Sequence, residues 1–296
     1  MQCRFYDDVR MFHAATHDLL LAAEAQNMIL LGNLYIGFEG KDKTGWRDPL
    51  HWVMATVSRD DAIVLIALMT PPHNIVLYSI DNIVDEEALS CLIDRLREHN
   101  IPIPGVMAEE ALVQRFAELY AKATGTAFDN NMRQRIYVLT EIDPAIPVLT
   151  APLRLRTASA HDLDYLPLWD QGFGAQASGY EISLEQAVEN ARYATEHGLF
   201  ILEDDGVPVC MTRLHREMRT VCGIGYVYTP PQSRGRGYAT ACVAEVSRIA
   251  LQRGFSTCVL YTDLANPTSN SIYQKIGYKP LCDSKMIRFV STEQDI

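Results

Sequence analysis

No apolar run in this 296-residue sequence is long and clean enough to cross a membrane. The longest candidate, Leu19–Leu31, is broken by Glu24, Gln26 and Asn27. A secretory leader is not expected either, because Asp7 and Asp8 stand where a signal segment carries only positive charge. There is no CxxC pair and no cluster with metal-ligand spacing. The seven cysteines, Cys3, Cys91, Cys210, Cys222, Cys242, Cys258 and Cys282, are scattered through apolar segments and read as reduced core thiols. A basic face is missing too. Residues 1–150 hold 12 Lys and Arg against 21 Asp and Glu, residues 151–296 hold 14 against 16, and the net charge is −11. Binding to a nucleic-acid backbone is therefore not expected. Low-complexity tracts, short repeats, a Walker loop and a dinucleotide fingerprint are all absent. These absences leave an ordinary globular protein, expected in the cytoplasm, with no membrane or nucleic-acid partner and no metal. The 48% hydrophobic content is ample for a sizeable core.

The length suits two domains of usual size. Three prolines, Pro144, Pro147 and Pro152, crowd the stretch Glu141–Leu153, which resists both helix and central strand. The expected division is residues 1–143, a linker at 144–152, and residues 153–296. Before the seam, Met11–Leu30 reads as a helix, followed by strands at Trp52–Ser58, Ala62–Met69 and Asn74–Ile80. Helices follow at Glu86–His99, with the stripe Leu89, Leu92, Ile93 and Leu96, and at Glu109–Thr124, with Leu112, Phe116, Leu119 and Tyr120. A strand at Arg135–Thr140 closes this half. After the seam a similar order recurs: strand Leu153–Thr157, helices Ala160–Gln171 and Leu184–His197, strands Gly198–Glu203, Val207–His215 and Thr220–Tyr228, helix Tyr238–Arg253, strand Thr257–Leu264, helix Ser269–Ile276 and strand Met286–Val290. The order is that of an α/β protein with a duplicated unit.

One stretch carries a chemical signature. The apolar strand ending at Val227, Tyr228 and Thr229 meets Pro230 and Pro231, then Gln232-Ser233-Arg234-Gly235-Arg236-Gly237 runs straight into a helix at Tyr238 and Ala239. Gly235 and Gly237 allow backbone angles closed to other residues, and the helix that follows begins with unpaired N–H groups. A glycine loop at a helix N-terminus suits phosphate oxygens, and Arg234 and Arg236 add charge of the right sign. An ordinary strand-to-helix turn with glycines is the plain alternative.

The hexapeptide resembles motif A (Q/R-x-x-G-x-G/A) of the GNAT acyltransferase superfamily. Downstream, Asn266-Pro267-Thr268-Ser269-Asn270-Ser271-Ile272-Tyr273-Gln274-Lys275-Ile276-Gly277-Tyr278 resembles motif B, a short helix carrying an asparagine and a tyrosine and ending in a Gly-aromatic pair. The resemblance covers about residues 151–290. It implies a mixed, mostly antiparallel sheet flanked by helices, repeated in tandem. It also implies an N-acetyltransferase that uses acetyl-CoA and lets an amine attack the thioester directly in a ternary complex. The loop from Gln232 to Ala239 would hold the pyrophosphate. The main chain at Val227, Tyr228 and Thr229 would hold the pantetheine and polarise the acetyl carbonyl. Asn266 and Asn270 would contact the pantetheine or fix the helix start, and Tyr273 would also line the cofactor site and protonate the leaving thiolate. The first half has a compatible order but no such loop. After its third strand come Asp81-Asn82-Ile83-Val84-Asp85, so it resembles a degenerate copy.

Many relatives place a glutamate on the strand before the loop as general base. Here Val221, Cys222 and Gly223 stand there, which leaves a water chain, His215 or Glu217 for the role. Tyr180, Glu181 and Glu185 fall where the family lines its acceptor pocket, and the acidic balance favours a cationic amine. The acceptor is expected to be a small-molecule amine or a protein amine, and the protein a monomer or homodimer. His13 and His17 are spaced i, i+4, yet no zincin-type glutamate accompanies them, and a solvent-facing pair is expected. Cys242, with Val246 and Ala250 on its stripe, is expected to be buried. A non-catalytic acyl-CoA-binding regulatory or interaction module is the competing reading of the whole chain.

Overall fold

The computed structural model describes residues 1–39, 47–177 and 181–290. The chain forms two units. Unit 1 is Met1–Arg135 with Cys282–Ile296, and unit 2 is Ile136–Leu281.

Unit 1 runs β1 (Gln2–Phe5), α1 (Val9–Leu21), α2 (Met28–Glu39), β2 (Val53–Arg59), β3 (Ala62–Met69), β4 (Ile75–Ser79), α3 (Glu86–Glu98), β5 (Gly105–Glu109) and α4 (Glu110–Thr124). β6 (Ala127–Leu139) follows, and its last residues pass into unit 2. Unit 2 continues with β7 (Leu153–Thr157), α5 (Leu166–Ala177), α6 (Leu184–Glu196), β8 (Leu199–Asp204), β9 (Val207–His215), β10 (Val221–Tyr228), α7 (Tyr238–Gln252), β11 (Thr257–Asp263) and α8 (Pro267–Ile276). β12 (Lys279–Val290) then returns the chain to unit 1.

In unit 1 the strand order is β1-β2-β3-β4-β5-β12, and in unit 2 it is β6-β11-β10-β9-β8-β7. Each is a mixed α/β sheet, mostly antiparallel, and each contains a parallel pair: β4 with β5 in unit 1 and β10 with β11 in unit 2. The expected boundary at 143/153 needs correction. Unit 2 starts at Ile136, inside β6, and the proline-rich stretch belongs to it. The strand expected at Met286–Val290 belongs to unit 1, because Ser284–Arg288 pairs antiparallel with Gly105–Glu109. Each unit is thus completed by a strand that follows the last helix of the other half.

Two other expectations change. The helix read as Met11–Leu30 is two helices, α1 and α2, separated by a turn at 22–27. There the Asn27 side chain donates to the carbonyl of Leu20 at 3.2 Å, drawing the chain out of the first helical path. The helix read as Ala160–Gln171 is a 3-10 turn at Ala160–Asp164 followed by α5.

The unit 1 core joins the stripe of α3 (Leu89, Leu92, Ile93, Leu96) to Leu112, Val113 and Phe116 of α4 and to Ile287 of β12. In unit 2, α7 lays Val243, Val246 and Ala250 on Cys222, Ile224, Cys258 and Leu260, with Tyr137 and Leu139 of β6 in the same cluster. Helices α5 and α6 cover Ile201, Met211 and Tyr228, with Trp169 and Ala191 among the packed residues. The 3-10 turn is anchored by a charged knot. Arg156 donates to both oxygens of Asp162 at 2.7 Å and to Glu203 at 2.7 Å, and Tyr165 donates to Asp162 at 2.6 Å. Burial opposes ionisation of Asp162, but the hydrogen bonds from Arg156, Tyr165 and the Ser159 N–H outweigh it and hold the carboxyl well below its ordinary range.

Candidate active site

In unit 2, β10 pairs in parallel with β11 only through Val221–Gly223 against Thr257–Val259. On its other side β10 slips register against β9 between Gly225 and Tyr228, and Tyr226 takes a φ of 55°. A β-bulge at this point re-aims the strand end and frees main-chain groups from the ladder. Just beyond, Pro231–Ser233 makes one 3-10 turn and α7 begins. Gly235 and Gly237 adopt φ of 76° and 80°, and a Cβ added at either would meet no atom within 4 Å. Gly237 is the N-cap residue and supplies no side-chain acceptor, so the first N–H groups of α7 are left for a ligand. Tyr238 holds the helix start by donating from its hydroxyl to Asp204 at the end of β8. Arg234 donates from Nε to the Thr229 carbonyl at 3.0 Å and lies over the Tyr228 ring.

These elements enclose a groove of about 480 Å³, a usual size for a small-molecule site. Val227, Tyr228, Thr229, Ser233, Arg234, Gly235, Gly237, Tyr238, Ala239, Asn266 and Tyr273 all line it, so most of the residues expected from the sequence meet in one place. Gln232 and Arg236 are exposed and are not among the lining residues. Gln176, Thr240, Thr268, Ser269, Ile272 and Lys275 complete the wall. Thr268, Ser269 and Ile272 lie inside the second sequence motif. Gln176 comes from α5, and no local sequence signal connects it to the loop.

The two asparagines differ. Asn266 caps α8, accepting from the Ser269 N–H at 3.1 Å, and still faces the groove. Asn270 does not line the groove. Its amide donates to the carbonyls of Asp263 and Asn266 at 2.8 and 2.7 Å and accepts from the Tyr137 hydroxyl at 3.2 Å. Of the two roles foreseen for it, fixing the helix start is the one its contacts describe.

Tyr273 projects from α8, is largely buried, and stands edge-on to Tyr278 with centroids 6.0 Å apart. Burial, with a smaller contribution from Cys210, raises its phenol above the ordinary range. It therefore stays protonated throughout the neutral range, as a proton donor must.

The base candidates are poorly placed. Glu217 is exposed. His215 pairs with Gly223, and its ring lies over β10, so a Cβ on Gly223 or Gly225 would come within 2.8 Å of it. Burial first, then the charges of Arg216 and Arg213, push this imidazole well below its ordinary range and keep it neutral. Arg216 Nη1 lies 3.2 Å from His215 Nδ1. A guanidinium only donates, so Nδ1 is the acceptor and the ring proton sits on Nε2. The lone pair a base needs is already engaged.

Tyr180 lies outside the described residues. Glu181 and Glu185 are exposed and are not among the residues lining the groove. Cys242 is fully buried, and burial raises its thiol. His13 and His17 stack on one another 4.3 Å apart, partly covered, with His17 Nε2 3.2 Å from the Tyr35 hydroxyl.

Unit 1 repeats the element order but not the site. Its equivalent helix, α3, is capped by Asp85, whose carboxylate accepts from the N–H groups of Glu87 and Ala88 at 3.1 and 3.2 Å. The donors that α7 leaves open are occupied there by a fixed negative charge. No helix among the described residues is long and apolar enough to cross a membrane.

No functionally curated protein resembles the chain significantly. The acetyltransferase (GNAT) family matches residues 164–278. Among solved structures, a Drosophila protein is similar over 98% of this chain and 99% of its own, with 16% identity and a TM-score of 0.70. A GCN5-related N-acetyltransferase from Sphaerobacter thermophilus is similar over 99% and 98%, with 16% identity and a TM-score of 0.62. A tandem GNAT protein from the clavulanic acid biosynthesis pathway aligns over the full length of both chains, with 13% identity and a TM-score of 0.58. At these identities the structures speak for the fold alone. The acetyltransferase (GNAT) family is thus matched within unit 2, where the open helix terminus stands beside the strand bulge, and the chain as a whole has the fold of tandem GNAT proteins.

Proposed function

We propose that unit 2 transfers an acetyl group from acetyl-CoA to an amine that attacks the thioester directly. The observation that carries this reading is the joining of three features in one groove: the uncapped N-terminus of α7, the bulged end of β10, and the protonated phenol of Tyr273. The fit to acetyl-CoA rests on the open backbone at Gly235 and Gly237, where no side chain intrudes, and on the absence of a capping carboxylate.

Acetyl-CoA supplies an activated acyl group as a thioester. The N–H groups from Gly235 to Ala239 bind the pyrophosphate, helped by the helix dipole. The main chain at Val227 and Tyr228, released from the ladder by the bulge, aligns the pantetheine and polarises the carbonyl. Tyr273 gives its proton to the departing sulfur. His215 offers no free lone pair and Glu217 lies at the surface, so the amine enters as the free base, and the proton its nitrogen sheds after attack passes to water, from which the Tyr273 phenolate regains the proton given to sulfur.

Calorimetry with acetyl-CoA, followed by thiol release with an amine panel, tests the reading. Binding with amine-dependent release is the expected outcome. Gly237→Glu sets a carboxylate against the pyrophosphate and should abolish binding. Unchanged affinity in that variant would overturn the site. Binding without release from any amine would favour an acyl-CoA-binding module instead.

A further inference from the structure

Asp170 is a buried carboxylate without a counter-charge. It lies on α5, only 2% exposed, and no cation among the described residues pairs with it. Each of its oxygens is taken by a neutral donor. The Asn190 amide of α6 donates to Oδ2 at 2.9 Å, and the Tyr226 hydroxyl donates to Oδ1. Asn190 is itself fixed by the Gln186 amide at 3.0 Å. A buried charge held only by neutral donors is a costly way to join two helices that already pack through Leu166, Trp169, Ala191 and Ala194. Asp162, in the same unit, shows the ordinary solution by meeting Arg156.

What the carboxylate holds besides α6 is Tyr226. This residue stands in the β10 bulge, where the register slips between Gly225 and Tyr228, and its φ is 55°. Left-handed backbone is unfavourable for a bulky side chain and persists only where the surroundings impose it. Two contacts impose it here: the hydroxyl bond to Asp170, and the Phe173 ring standing edge-on with centroids 4.9 Å apart. Burial, and then Asp170, raise the phenol above its ordinary range, so Tyr226 stays protonated and remains the donor. The peptide that follows Tyr226 is rigid, so its orientation is set by the torsions of Tyr226. That peptide carries the N–H of Val227, a residue of the groove wall. Release of the phenol lets Tyr226 return to extended backbone and re-aims this N–H. The same helix sets Trp169 and Gly172 against Tyr228, so α5 grips the strand end on both sides of Val227.

Resting on the acetyl-transfer reading above, we infer that Asp170 is a positioning residue, acting through the Tyr226 hydroxyl to hold the Val227 main chain in the orientation that polarises the thioester carbonyl.

The test is a double-mutant cycle on the full-length protein, with kcat measured on a responsive amine and acetyl-CoA affinity measured by calorimetry. Tyr226→Phe keeps the ring and removes the anchor. It should lower kcat by about 10- to 100-fold and leave the Kd for acetyl-CoA within about twofold, since the pyrophosphate loop is untouched. Asp170→Ala should do the same. The double variant should be no slower than the slower single one, because the carboxylate acts only through the phenol. Asp170→Asn, which retains an acceptor oxygen, should recover about tenfold of the Asp170→Ala loss. Additive losses, an asparagine variant as slow as the alanine one, or affinity and kcat falling together would overturn the proposal and leave acetyl transfer standing. Tyr226→Phe alone, by its split between kcat and Kd, carries the test should Asp170→Ala not fold. Wild-type protein that fails to bind acetyl-CoA would instead sink the underlying reading. If no amine turns over, calorimetry of acetyl-CoA against CoA decides, since only the former has the carbonyl. The wild type should prefer acetyl-CoA by about 5-fold, and Tyr226→Phe should erase that preference. No preference in the wild type, or one that survives in Tyr226→Phe, would overturn the proposal.

Discussion

Gly172→Ala is a small change whose consequences reach the groove. Gly172 lies inside α5, where alanine ordinarily adds about 1 kcal/mol of stability through helix propensity. Here a Cβ would stand 2.2 Å from the Tyr228 hydroxyl oxygen and 2.6 Å from its Cζ. Ordinary van der Waals contact needs more than 3.4 Å, so the ring must move by roughly 1 Å or α5 must lift. Tyr228 has little room to yield, being packed against Trp169 with centroids 6.0 Å apart and covered by Arg234. Overpacking of this kind costs about 1–3 kcal/mol, which cancels or exceeds the propensity gain and leaves a net loss of about 0–2 kcal/mol. Because Tyr228 lines the groove, displacing it by about 1 Å should lower kcat by about 10- to 100-fold. Urea unfolding and steady-state kinetics read the two effects. Tyr228→Phe in the same background, which removes the nearest atom, should recover part of each. A Gly172→Ala protein stabilised by about 1 kcal/mol with unaltered kinetics would refute the reasoning.

Tyr273→Phe removes the proton donor and leaves the ring packing, so turnover should fall by about 100-fold or more with acetyl-CoA affinity nearly constant. Equal losses of both would mark a structural role. Asp162→Asn leaves Arg156 with only Glu203 and should cost about 3 kcal/mol in chemical denaturation, and a loss under 1 kcal/mol would contradict the knot described here. His215 stays neutral in the fold while the unfolded chain takes up a proton near its ordinary value of 6.5. Stability is therefore lost as pH falls below that value, with a limiting slope of about 1.4 kcal/mol per pH unit for this one group. His215→Gln should lose less between pH 7.5 and 5.5, and equal pH slopes in the two proteins would show that this imidazole titrates freely.

What the sequence disclosed was what local rules govern. The strand–proline–glycine–helix passage from Val227 to Ala239 is written in residue types that permit few conformations, and it folds as read. The stripe on α3 and the limits of β3 were legible for the same reason. β1 was missed, since four residues at a sheet edge carry too short an alternation to detect. The break between α1 and α2 was hidden inside a continuous apolar run, because one asparagine side chain makes it. The home of β12 could not be read at all, as pairing with Gly105–Glu109 is a fact about distant sequence. Arg216 was equally silent. An arginine after a strand is unremarkable until the fold sets its guanidinium against the ring of His215, with Nε buried and unbonded among the described residues.

The exchange of closing strands imposes an order on how the protein comes into being. Residues 1–135 leave the ribosome early, yet the strand that pairs with β5 is translated only after all of unit 2. Until then β5 presents an open edge, a surface prone to mispairing. A nascent chain stalled anywhere between Leu139 and Leu281 holds an unfinished N-terminal sheet. Unit 2, whose β6 has already emerged by that stage, is the part that can close first.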